Sequence, residues 1–159
     1  MRIGIIVHSQ TENTYHVGEK LREKLLESTP DVAVERVNMV GGNRPQGKDI
    51  QIEHPPEVDG YDVVIFGSPV HAFSLCPAMK TYLEELPSLE HKKIACYVTK
   101  RLPFAWTGGK RAIGEMKKIC QAKGGIVFET GIVVWNKKRS EQIADLSEKV
   151  STSLARSKR

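Results

Sequence analysis

Hydrophobic positions along the chain follow two alternating rhythms, one continuous and one helical. Ile3-Gly4-Ile5-Ile6-Val7 is an unbroken apolar run, the pattern of a strand buried on both faces of a parallel sheet. From Tyr15 the period becomes helical, with Val17, Leu21 and Leu25 four apart and Leu26 widening the same face; Asn13 and Thr14, just before it, are residues of N-cap type. Residues 32–37 alternate as a second strand, exposed on one side and so nearer the sheet edge. The stretch 41–60 holds Gly41, Gly42, Pro45, Gly47, Pro55 and Pro56, and predicts at most a short or distorted helix. Val63 to Gly67 predicts a third strand, followed by a polar loop and a helix from Pro77 through Met79, Tyr82, Leu83 and Leu86. A fourth strand at 94–99 leads to a helix over 110–123, with Ile113, Met116, Ile119 and Cys120 on one face and a stop at Gly124-Gly125. Residues 126–135 supply a fifth strand, and Ser140 opens a last helix carrying Ile143, Leu146, Val150 and Leu154. Five alternations of strand and helix predict a single α/β domain, 1–159, built on a doubly wound five-stranded parallel sheet.

Composition narrows this further. With 159 residues, 40% hydrophobic and 27% charged, the chain is one domain's worth and buries a core without disulfides or metals. No apolar run approaches the roughly 20 residues that cross a bilayer, and the start of the chain lacks a signal-peptide pattern, so the expectation is a cytoplasmic protein with no membrane partner. Cys76, Cys96 and Cys120 show no C-x-x-C spacing and the histidines no ligand spacing, so no metal site is expected. The net charge of +5 is concentrated in Lys137-Lys138-Arg139 and the basic tail at 156–159. A frayed tail and solvated helix faces account for it without a nucleic-acid partner. No dimer signal is legible.

Ligands of doubly wound sheets bind beyond the carboxyl ends of the strands, where strand order reverses. The loops after the first, third and fourth strands are therefore the candidate site. The first, Ser9-Gln10-Thr11-Glu12-Asn13-Thr14, contains no glycine, which excludes both a P-loop and a dinucleotide fingerprint. It joins a buried strand to a helix N-terminus, whose unpaired N–H groups make an anion site. Hydroxyls of Ser9, Thr11 and Thr14 and the amide of Asn13 suit a terminal phosphate held by neutral donors. An ordinary capped turn is the competing reading.

This loop resembles the phosphate loop of the flavodoxin family, commonly [ST]-x-T-G-N-T, and Gly67-Ser68-Pro69-Val70-His71-Ala72-Phe73 resembles that family's G-[ST]-P segment. The resemblance spans essentially the whole chain. It implies a flavodoxin-like fold with strand order 2-1-3-4-5 and FMN as cofactor. Carried over, Ser9, Thr11, Asn13 and Thr14 would bind the phosphate, with main-chain amides of Gln10 and Glu12. Ser68, Pro69, Val70, His71 and Phe73 would border the flavin ring. Thr99, Lys100, Phe104, Trp106 and Gly108, in and after the fourth strand, would supply the opposite wall; for Phe73, Phe104 and Trp106, core packing is the alternative. Three departures stand out: Glu12 replaces a common glycine, Ala72 replaces a glycine of some flavodoxins, and the chain is basic where electron-carrying flavodoxins are typically acidic.

The resemblance implies an electron-transfer protein working with a redox partner protein, in which no general acid or base is required. The alternative is an NAD(P)H-dependent FMN or quinone reductase of the same fold, with Lys100, Arg101, Lys110 and Arg111 either receiving a nucleotide's phosphates or serving only as surface charges. Cys76, before Pro77 at a helix start, is either an activated thiol or a small packing residue.

Overall fold

The computed structural model describes residues 1–42, 50–104 and 107–157. Element order is β1 (Arg2–Val7), α1 (Asn13–Leu25), β2 (Asp31–Arg36), β3 (Asn38–Met39), β4 (Ile52–Glu53), β5 (Val63–His71), β6 (Ser74–Leu75), α2 (Pro77–Glu85), β7 (Lys93–Lys100), α3 (Gly109–Ala122), β8 (Ile126–Val134) and α4 (Arg139–Ser157). The main sheet runs β2-β1-β5-β7-β8, all parallel, with β6 added antiparallel to β5. In terms of the five long strands this is the expected order 2-1-3-4-5.

The sheet separates two cores. Ile3, Ile5 and Val7 face Val17, Leu21 and Leu25 of α1 and Ile143, Leu146, Val150 and Leu154 of α4. Ile6, Val64 and Phe66 face Met79, Tyr82 and Leu83 of α2 and Ala112, Met116 and Cys120 of α3. The unbroken apolar run of β1 is thus explained by burial on both sides, whereas β2 lies at the edge and is mostly half-buried.

Four local expectations change. The N-cap of α1 is Glu12, at a φ of 68°, so Asn13 and Thr14 are its first helical residues rather than its caps. Leu26, past the helix end, is 39% exposed instead of packed. The described part of 41–60 holds no helix, only β4, which pairs antiparallel with β3 just upstream; residues 43–49 lie outside the described residues. Finally, β5 does not stop at Gly67. It continues to His71, paired with β7 as far as Pro69–Thr99 and with β6 beyond. Gly67 O accepts from His8 N (3.0 Å) on the β1 side, so Pro69, two residues on, turns its missing N–H to the same side after β1 has ended.

Candidate functional site

The first loop is shaped by one left-handed residue. Glu12 adopts the conformation for which glycine is usual, and its carboxylate accepts two hydrogen bonds from Arg36, at 2.9 Å (Nη1) and 2.8 Å (Nη2). Arg36 in turn lies 3.7 Å over the Tyr15 ring. The guanidinium draws Glu12 away from the loop interior and holds its carboxyl below the ordinary value. The first hydrogen bond within α1 runs from His16 N to Glu12 O (2.9 Å), so the N–H groups of Asn13 and Thr14 precede the helical ladder. A carboxylate that would repel an anion is thereby neutralised beside a helix N-terminus that attracts one.

Two hydroxyls of that loop are directed inward. Thr14 Oγ1 pairs with Thr99 Oγ1 at 2.8 Å, and the Thr14 carbonyl accepts from the Tyr97 hydroxyl at 2.7 Å. Tyr97 reaches it across Gly67, where any Cβ would run into the phenol ring. Ser9, 7% exposed, accepts a long bond from Tyr15 N at 3.4 Å. Beneath the loop His8 is fully buried; its Nδ1 bonds the Val37 carbonyl at 2.8 Å, which fixes the Nδ1–H tautomer, while Nε2 has no partner among the described residues. Burial pushes its pKa down.

The second loop is a β-hairpin. Ala72 and Phe73 are its two central residues, at φ of 46° and 63°, the left-handed pair that a tight two-residue turn demands and that Asn-Gly usually supplies. Each costs roughly 1–2 kcal/mol in a residue with a Cβ. Ser74 Oγ donates to His71 O (3.3 Å) across the turn. Gly108, at a φ of 98°, lies against the Phe73 main chain.

The third loop is tied by Lys100. Its Nζ donates to Phe104 O (2.9 Å) and to Thr107 Oγ1 (3.1 Å), and Thr107 donates to Leu102 O (3.1 Å) and bonds Phe104 O. Burial lowers the lysine's pKa, and its hydrogen bonds serve the loop itself.

The three loops open on one cleft of about 530 Å³, within the range of small-molecule sites. Gln10, Thr11 and Asn13 form one end; Pro69, Val70, Ala72 and Phe73 form one wall; Thr99, Lys100, Arg101, Leu102 and Thr107 form the other. Of the residues singled out in the sequence, Ser9, Glu12, Thr14, Ser68, His71, Phe104 and Gly108 do not line it. Ser68 is buried with its hydroxyl on Pro69 O (3.0 Å), Phe104 is 54% exposed, and Gly108 acts from behind the hairpin. Trp106 lies outside the described residues. Arg36 and Tyr97 shape the site without touching the cleft, and no local sequence signal marks them, because each acts from a strand distant in the chain. Cys76 is 1% exposed with its thiol pKa raised by burial, which removes the activated-thiol reading. The cleft can take an anion at its Thr11–Asn13 end and a flat apolar group between its walls.

No family model matches the chain. Among curated proteins, the NAD(P)H dehydrogenase (quinone) of Archaeoglobus fulgidus is 28% identical over 129 residues, which cover 70% of this chain and 66% of that protein. The match spans about two thirds of the relative's length. Among solved structures, the two-electron reduced flavodoxin of Megasphaera elsdenii superposes with a TM-score of 0.70 at 18% identity, covering 94% of this chain and 98% of that one. The Streptococcus pneumoniae TIGR4 flavodoxin gives 0.68 at 13% identity (96% and 99% covered), and flavodoxin 1 of Bacillus cereus gives 0.65 at 14% (96% and 98%). With five parallel strands in the expected order, helices on both faces and these superpositions over nearly its whole length, the chain has the flavodoxin fold.

Proposed function

We propose that the chain binds FMN non-covalently in this cleft and serves as an electron-transfer protein. The observation that carries the reading is the convergence of the loops after β1, β5 and β7 on one cleft whose anion-binding end is made of neutral donors. Thr11, Asn13 and the main-chain amides before α1 would hold the phosphate; Pro69, Val70 and Leu102 would flank the ring. Bound FMN supplies the electron uptake and release. The chain's residues orient it, neutralise Glu12 through Arg36 and limit water on either side of the ring. The three cysteines, all unpaired and buried, fit a reducing compartment such as the cytosol.

Titration with FMN tests this. Quenching of flavin fluorescence at micromolar protein is expected, with weaker binding in Thr11→Ala/Asn13→Ala; absence of quenching by the unaltered protein would refute the reading.

A second reading, an NAD(P)H-dependent reductase of flavin or quinone, draws support from the name of the Archaeoglobus relative and from Arg101 in the cleft wall. Bleaching of bound flavin by NADPH alone selects it, and persistence of the yellow colour selects the carrier.

A further inference from the structure

Three exposed apolar side chains lie on the two loops that wall the cleft: Phe73 (49% exposed) on the hairpin, and Leu102 (48%) and Phe104 (54%) on the turn after β7. Beside them, along the β7–α3 and β8–α4 turns, are Arg101, Lys110, Arg111, Lys137, Lys138 and Arg139, all exposed. Trp135 N donates to Lys100 O at 2.7 Å, which holds the start of the second turn next to the first. Glu12 is bonded to Arg36, outside this set, and Glu115, which accepts from Leu75 N at 3.5 Å, lies 3.6 Å from Arg111 Nε and offsets that one cation in part. Glu141, in the first turn of α4, is the one other carboxylate of these two turns among the described residues.

We propose that this arc of cations around an apolar centre is the docking face for an acidic electron-carrier protein. The inference rests on the flavin reading above and adds to it the chemistry of the partner. Its width favours a protein over a dinucleotide. Lys110 and Arg111 start α3 on one side of the sheet, whereas Lys137, Lys138 and Arg139 lead into α4 on the other. With layers about 10 Å apart, the arc spans on the order of 20 Å, more than one pyrophosphate engages and well matched to a protein patch. An apolar centre with a charged rim is the anatomy of a transient interface, in which the rim steers encounter and the centre excludes water. Lys100, which lines the cleft wall, spends its hydrogen bonds within its own loop and contributes little to such a rim.

The test follows reduction of the FMN-loaded protein by a reduced acidic plant-type ferredoxin in stopped flow. Each ferredoxin gives up one electron, so two encounters deliver the pair, with charge balanced by protons from solvent. Raising salt from about 20 to about 500 mM is expected to slow the reaction about tenfold. Lys137→Glu/Lys138→Glu, outside the cleft, is expected to bind FMN as before yet to react slowly at low salt and to lose most of the salt dependence. Cationic cytochrome c, accepting electrons from the reduced protein, is expected to show no slowing with salt. Ferredoxin rates indifferent to salt and to the charge reversal overturn the docking face while leaving FMN binding intact. Loss of NADPH-driven bleaching in the same variant overturns it too, by assigning the arc to a dinucleotide. A chain that binds no FMN removes both the flavin reading and the docking face that depends on it.

Discussion

Gly108 is pressed against the main chain of Phe73, at a φ of 98° that side chains with a Cβ rarely adopt. The contact couples the hairpin to the N-terminus of α3, and so fixes the spacing between the two walls of the cleft. Gly108→Ala adds backbone strain and a steric conflict at once. The expected loss is about 2–3 kcal/mol, read as a lower thermal midpoint, together with weaker FMN binding because the hairpin wall is displaced.

Glu12 and Arg36 allow a separate test. Glu12→Gly removes about 1 kcal/mol of left-handed strain and, against it, a largely exposed ion pair worth about 0–1 kcal/mol. Net stability at neutral pH is expected to move by less than about 1 kcal/mol. Loss of the carboxylate near the phosphate end should tighten FMN binding by a factor of about two to five. The acid limb reports the pair directly. Because the Glu12 pKa lies below its ordinary value of 4.5 in the fold, its contribution is complete above that pH and fades as pH falls through the lowered value. Unfolding of Glu12→Gly in urea between neutral and acid pH should lack that component.

His8 titrates with a sign that can be worked out. Its pKa is depressed by burial, so below its ordinary value of 6.5 the unfolded chain takes up a proton that the folded chain refuses. Stability therefore falls as pH drops below 6.5, by up to about 1.4 kcal/mol per pH unit, until the lowered folded value is reached. His8→Asn keeps a donor near the Val37 carbonyl and does not titrate. Its thermal midpoint is expected to be flatter between pH 7 and pH 5 than that of the unaltered protein; equal slopes would exclude His8 as the source.

Tyr97 and Gly67 form a matched pair. Tyr97→Phe takes from the Thr14 carbonyl the donor it has beyond the helical ladder, at an expected cost of about 1 kcal/mol. Gly67→Ala sets a Cβ into the phenol ring and should destabilise by more, with amide exchange accelerated at the start of α1 in both variants.

The sequence made the frame of this molecule legible because burial leaves a periodic mark. Val17, Leu21 and Leu25, or Ile143, Leu146, Val150 and Leu154, announce their helices and the faces they hide. It was less informative where backbone conformation or long-range pairing decides. Nothing local shows that Glu12 takes the left-handed cap, since arginine capture from β2 sustains it. Nor does the polar run after Gly67 show that the strand continues, because its continuation depends on Thr99 and Leu75 as ladder partners. Gly67 itself appeared in the sequence as part of a ligand motif, while its lack of a Cβ is explained by the passage of Tyr97. The convergence of three loops was predictable from topology, but the inward turn of Ser9 and Thr14 was not.

The overhang of β5 beyond its neighbour β1 has a consequence for how this cleft can diversify. Pro69 and Val70 are carried on a hydrogen-bonded ladder instead of a slack connection, so their positions are set by main-chain pairing and not by what their side chains touch. Descendants of this sequence are free to repaint that shelf for a different guest while its height and tilt stay constant.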